Sequence, residues 1–205
     1  MKKSVILLIV IIFLSGCIHK ARYEIGLQRV KIGKYANKGS IKPKVINFED
    51  KSLKKFDFSN KLIDIKWWID NYEFRFILKN KTSKSIKILW EKAAYVDKKG
   101  FSHKITHYNR NNLKHYEFSN QPVVVASGSK FKSYIIPKEN IYFDESKKEW
   151  IKKPLLVYRA NLKEELKVIA QKNIGKTIKI LLPLQISDSI DEYLFTFQVK
   201  NYRIK

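Results

Sequence analysis

Residues 178–199 read IKILLPLQISDSIDEYLFTFQV, and this stretch decides the fold class. Ile178, Ile180, Leu182, Leu184 and Ile186 recur at every second position, and Tyr193, Phe195, Phe197 and Val199 do the same beyond the polar segment Ser187–Asp191. A period of two places alternate side chains on one face of an extended chain, so each run reads as a strand with one apolar face. The polar segment between them reads as a turn. Pro183 lies inside the first run and has no N–H for a ladder, which predicts an edge strand or a bulge there.

The same period runs upstream. Tyr72, Phe74, Phe76 and Leu78 alternate with Glu73, Arg75, Ile77 and Lys79, and after a turn at Asn80–Ser83 the alternation resumes at Ile86, Ile88 and Trp90. Two such runs about a short polar segment predict a hairpin. Asp97-Lys98-Lys99-Gly100 suits a type I turn between Tyr95-Val96 and a strand over Phe101–Tyr108. There Asp bonds its own backbone and Gly accepts positive φ. Asn109–Asn112 reads as a loop, and Val123–Ala126 and Lys130–Ile136 as strands about Ser127-Gly128, with Pro137 closing the second.

Only residues 161–173 change period. Leu162, Leu166, Ile169 and Ala170 form one helical stripe, Asn161 can cap it with Glu164 three residues on, and Gly175 fits just past its end. Many short strands, regular turns and one short helix predict a mostly β, antiparallel sandwich over residues 62–205. His19 to about Lys61 is weakly patterned, with alternating runs near Tyr23–Ile32 and Lys44–Phe48, and reads as a tether with edge strands.

The first sixteen residues have another logic. Lys2 and Lys3 precede the ten apolar residues Val5–Leu14, and the small Ser15 and Gly16 lead to Cys17. A membrane-spanning helix needs roughly 20 apolar residues, so this run fits a signal-peptide core instead. Leu14-Ser15-Gly16-Cys17 resembles the lipobox of bacterial lipoproteins, L-[AS]-[GA]-C. The resemblance implies that residues 1–16 are removed by signal peptidase II and that Cys17 carries a diacylglyceryl group and an acylated amine. Two or three acyl chains anchor a protein stably where one does not. The expected localisation is the cell envelope. Ile18 takes the position where an Asp in enterobacterial lipoproteins signals inner-membrane retention, which implies the outer membrane in an organism that has one. Beyond the lipobox, residues 62–200 resemble, in general pattern only, the immunoglobulin-like modules of small bacterial lipoproteins, without an antibody-type Cys…Trp…Cys framework.

Cys17 is the only cysteine, so the mature domain has no disulfide, no thiol nucleophile and no cysteine-based zinc site. The net charge is +23, and removal of Lys2 and Lys3 leaves 23 − 2 = +21. Such a field attracts polyanions such as anionic lipid or cell-wall polymer. The 36 lysines against 6 arginines, spread in ones and twos, argue against a dense phosphate-reading tract. Export argues against nucleic acid.

Candidate sites are few. His103, His107 and His115 cluster in sequence, but on one strand the first two lie roughly 13 Å apart, too far to share an ion, so no metal is expected. Trp67 and Trp68 are adjacent and face opposite ways on a strand, one to the core and one outward as a binding surface for protein or glycan. Ser127-Gly128-Ser129 is a turn and no nucleophile elbow. Asp144-Glu145 and Glu164-Glu165 are adjacent pairs that diverge, so neither makes an acid/base couple. Neither catalytic residues nor cofactors are assigned. The expected function is a membrane-anchored, non-catalytic accessory or assembly factor that binds an envelope protein. The alternatives are a basic module for an anionic envelope polymer or lipid, and an enzyme of unknown class.

Overall fold

The computed structural model describes residues 18–36, 39–47, 57–108 and 120–205, with side chains given outside 34–47. The chain is mostly antiparallel β with one helix, and its main sheet curls into a half-barrel. The early strands are β1 (His19–Ala36), β2 (Gly39–Asn47), β3 (Asp57–Ser59), β4 (Ile63–Ile69) and β5 (Phe74–Asn80). Next come β6 (Ile86–Ile88), β7 (Ala94–Val96), β8 (Ser102–Tyr108), β9 (Val123–Val125) and β10 (Lys130–Pro137). A separate hairpin, β11 (Ile141–Asp144) and β12 (Glu149–Lys152), precedes β13 (Arg159–Ala160), α1 (Lys163–Gln171), β14 (Thr177–Ile186) and β15 (Ser189–Ile204). Among the described residues no helix is long and apolar enough to cross a membrane.

Thirteen strands form one sheet, ten of them along the hydrogen-bonded path β13-β1-β15-β14-β7-β8-β10-β5-β4-β3, with β2, β6 and β9 attached at its sides. β8 turns the corner. Its first half pairs with β7 and its second half with β10. The two walls then meet face to face through the alternating apolar positions that the sequence displays. Ile178, Ile180, Leu182, Leu184, Tyr193, Phe195 and Phe197 of β14 and β15 are fully buried against Ile63, Ile65, Phe74, Phe76 and Leu78 of β4 and β5. Trp67 is the keystone. Its ring centroid lies 5.1 Å from Phe76 on its own wall and 5.0 and 5.5 Å from Phe195 and Phe197 on the other.

Several expectations are corrected. β5 and β6 do not form a hairpin: β5 lies between β4 and β10, whereas β6 pairs with β14 and β9. Alternation fixes which face of a strand is apolar but not which strand lies beside it. The buried Asn80 side chain helps the chain leave its layer by donating to the carbonyls of Lys84, Val125 and Ala126. β14 is no edge strand either. It has β15 on one side and β7 and β6 on the other. Pro183 is tolerated because β7 covers residues 179–181 and β6 covers 184–186, leaving Pro183 between them. Its carbonyl accepts the Leu89 N–H on that side, where its own missing donor would also point. The helix starts later than expected: Leu162 is its N-cap, without a side-chain cap, and lies 67 % exposed instead of on the buried stripe. Glu164 pairs with Lys167 instead of closing a capping box with Asn161.

The stretch expected to hold a tether and edge strands contains the eighteen-residue β1. It pairs with β15 over residues 21–35 and sends Leu27, Val30 and Ile32 into the main core. Bulges after Glu24 and Leu27 bend it to follow the curl. α1 covers the start of β1 and the end of β15, with Leu166 and Ala170 buried on Ala21 and flanked by Tyr23 and Tyr202.

Candidate functional site

Antiparallel order brings the start of β1, the end of β15, the end of β4 and the start of β5 to one end of the half-barrel. Residues 153–158, after the β11–β12 hairpin, run across that end, with the Leu155 N–H bonded to the Asn71 carbonyl and the Ala21 N–H to the Tyr158 carbonyl. A cavity of about 450 Å³ remains among these segments, the size of a small-molecule site. Lys20, Arg22, Arg75 and Lys205 line it together with Ile25, Ile69, Leu155 and Leu156, the phenols of Tyr23 and Tyr158, and Asp70.

The charges at this cavity do not balance. Among the described residues, no ion pair engages Lys20, Arg22, Arg75 or Lys205, whereas the surface pairs of the fold, such as Lys66–Asp57 and Arg203–Glu24, are made. Asp70, whose Oδ1 accepts the backbone N–H groups of Tyr72 and Glu73, is the one acidic side chain in the lining against these four cations. The Arg75 guanidinium lies 5.8 Å from the Tyr134 ring centroid, and its buried Nε has no hydrogen-bond partner. Arg159 stacks 4.8 Å over the ring of Tyr158. Three of the six arginines, Arg22, Arg75 and Arg159, therefore stand at or against one cavity, although the sequence scatters them over 138 positions (159 − 22 + 1). Arginine is the residue best suited to fork onto a phosphate or carboxylate.

The phenols are held as neutral hydroxyls. Burial raises the Tyr23 hydroxyl above its ordinary range, against the opposing hydrogen bond from Asn173. Tyr23 in turn donates to the Val157 carbonyl at 2.6 Å. Tyr158 is pushed up to about 12 by desolvation and by its hydrogen bond with Tyr72. Neither phenol adds negative charge to the cavity near neutral pH, so the cavity can bind and orient an anion.

The residues singled out in the sequence lie elsewhere. Leu14, Ser15, Gly16 and Cys17 fall outside the described residues, as does His115. Trp67 is in the core and Trp68 is 42 % exposed on the outer face of β4, the division that adjacency on a strand requires. His103 and His107 share β8 but have separate surroundings. His103 sits between Asp97 and Glu139, and His107 stacks on Trp90 with centroids 4.0 Å apart. Among the described residues no cluster of three or more His, Cys, Asp or Glu could hold a metal ion. Asp144, Glu145 and Glu164 make surface pairs with Lys147, Lys148 and Lys167.

Sequence reasoning also missed a buried polar cluster. Glu73 was expected on the polar face of β5, yet it is 2 % exposed, because the β11–β12 hairpin closes over that face with Ile141 and Trp150 packed on Tyr108 and Tyr134. Lys152 of the hairpin reaches Glu73 at 2.6 Å and the Tyr108 hydroxyl at 2.5 Å, and Tyr108 donates to Glu73. This cluster pins the hairpin that sets the path of residues 153–158. The signal for the hairpin was present in Tyr142-Phe143 and Trp150-Ile151 about the polar Asp144–Lys148. Comparison of the chain with protein-family models, with curated proteins and with solved structures returns no match.

Proposed function

We propose that this chain is a lipid-anchored, non-catalytic binding module of the bacterial cell envelope, held by acylated Cys17, that receives an anionic envelope ligand in the cavity at the start of β1. The observation that carries this reading is the set of four cations, Lys20, Arg22, Arg75 and Lys205, around one cavity of about 450 Å³, none of them in an ion pair among the described residues. The proposed anchor adds to it: Lys20 is three residues beyond Cys17, a reach of at most about 11 Å of extended chain. The charge of +21 on the processed chain supplies a field that concentrates anions near that site. We read the curled sheet as an immunoglobulin-like sandwich in the making, supported by the face-to-face packing of β4 and β5 on β14 and β15. Location in the outer membrane, where there is one, belongs to the same proposal. A second reading, an accessory factor that docks an envelope protein, is favoured by the outward Trp68.

Cross-linking in the native envelope at low and high salt separates the two. Polymer or lipid adducts on the segments around Lys20, Arg75 and Tyr158, lost at high salt, are expected. A discrete protein adduct near Trp68 that survives high salt would replace the first reading with the second.

A further inference from the structure

We infer that the cavity is built for an anionic amphiphile, namely the head group and upper chain of an anionic membrane lipid, and not for a free anion. The inference deepens the proposed function and rests on it. Its first support is the division of the lining by exposure. Lys20, Arg22 and Lys205 are exposed and form a charged mouth, whereas Leu156 and Tyr158 are buried and Ile25, Ile69 and Leu155 half-buried, forming an apolar wall behind it. A free phosphate gains nothing from such a wall, while an acyl chain gains about 25 cal/mol for each Å² it buries. The second support is Arg75. It is the inner, half-buried cation of the lining, its guanidinium lies 5.8 Å from the Tyr134 ring centroid, and among the described residues no carboxylate pairs with it, so a head-group oxygen that reaches the guanidinium supplies a charge-assisted bond. The third is position: a mouth about 11 Å or less of chain from the lipid on Cys17 lies at the depth of lipid head groups.

Native mass spectrometry of the full chain in a non-ionic detergent tests this, with dioleoyl-phosphatidylglycerol, dioleoyl-phosphatidylcholine and inorganic phosphate as separate titrants. One saturable phosphatidylglycerol adduct is expected at a concentration at least about tenfold below any phosphatidylcholine adduct, with phosphate displacing it only at far higher concentration. Arg22→Gln and Arg75→Gln should each weaken the adduct about tenfold or more, the loss of one charge-assisted hydrogen bond, and Lys84→Gln, beside Ser187 at the β14–β15 turn and so at the opposite end of β15 from Lys205, should not. Equal adducts of the two lipids, or phosphate competing at the lipid's own concentration, would overturn the inference. So would an adduct untouched by Arg22→Gln, whose exposed side chain makes it the arm that survives if Arg75→Gln fails to fold. The same spectra report the mass at Cys17. A chain without acyl groups that still binds one phosphatidylglycerol defeats the anchor and leaves the cavity, and an acylated chain that binds none does the reverse.

Discussion

Trp67 and Trp68 offer the cleanest test of how the two walls hold together, because they are the same residue type at adjacent positions facing opposite ways. Trp67 is 1 % exposed and touches aromatic rings on both walls, while Trp68 is 42 % exposed. Replacing Trp67 by Ala removes one of the two largest buried side chains among the described residues and leaves a cavity between Phe76, Phe195 and Phe197 that rigid strands cannot close. Truncations of this kind cost about 3–5 kcal/mol. Domains are stable by only about 5–15 kcal/mol, so the variant should fold with a much reduced margin. With a urea slope of about 2 kcal/mol per molar, the midpoint should fall by about 1.5–2.5 M. Trp68→Ala should move it by roughly 0.5 kcal/mol or less, as at other surface positions. Urea titrations of the detergent-solubilised full chain, followed by far-UV circular dichroism, read both. Equal losses at the two positions, or a larger loss at Trp68, would refute the packing described.

Three further outcomes follow from the same structure. Glu73→Gln should cost about 3 kcal/mol, the lower end of the range for breaking a buried pair because Lys152 keeps 23 % exposure. Adding Lys152→Met should restore part of that loss in a double-mutant cycle, whereas simple additivity would show that the pair is not coupled. Although burial alone would raise the Asp97 carboxyl, hydrogen bonds from the Phe101 and Lys99 N–H groups and from His103 hold it below its ordinary value of 3.8. Its contribution is therefore present above that pH and lost as the pH falls below it. The stability gap between the native chain and Asp97→Asn should narrow from about pH 5 to about pH 2, and a gap independent of pH would remove Asp97 from the acid response. Cys17→Ala should leave an uncleaved precursor that takes up no labelled fatty acid, and uptake of label by that variant would end the lipobox reading.

The local half of the fold was legible because alternation is a local signal. Phe74, Phe76 and Leu78, and later Tyr193, Phe195 and Phe197, are buried as their spacing demands, and Leu166 and Ala170 mark the helix. Partnership was not legible. Ile86 and Ile88 carry the same pattern whether they pair with β5 or with β14, and Pro183 looks like an edge residue unless one knows that β6 and β7 leave a gap beside it. The buried Glu73 and the cavity share one cause. Each is assembled from segments far apart in sequence, and the lysines and arginines look evenly scattered until antiparallel pairing brings residues 20–22, 75 and 205 together. A count of 36 lysines against 6 arginines argued against a dense phosphate-reading tract, yet two of the few arginines line this one cavity and a third, Arg159, stacks on its Tyr158.

Lipid binding in the cavity is tested by photo-cross-linking the full chain in vesicles containing phosphatidylglycerol that carries a diazirine near its head group, then mapping the modified peptides. Adducts concentrated on residues 20–25, 69–75 and 155–158, and diminished in Arg75→Gln, are expected. Adducts spread evenly over the lysine-rich surface, or gathered on the β11–β12 hairpin instead, would contradict it.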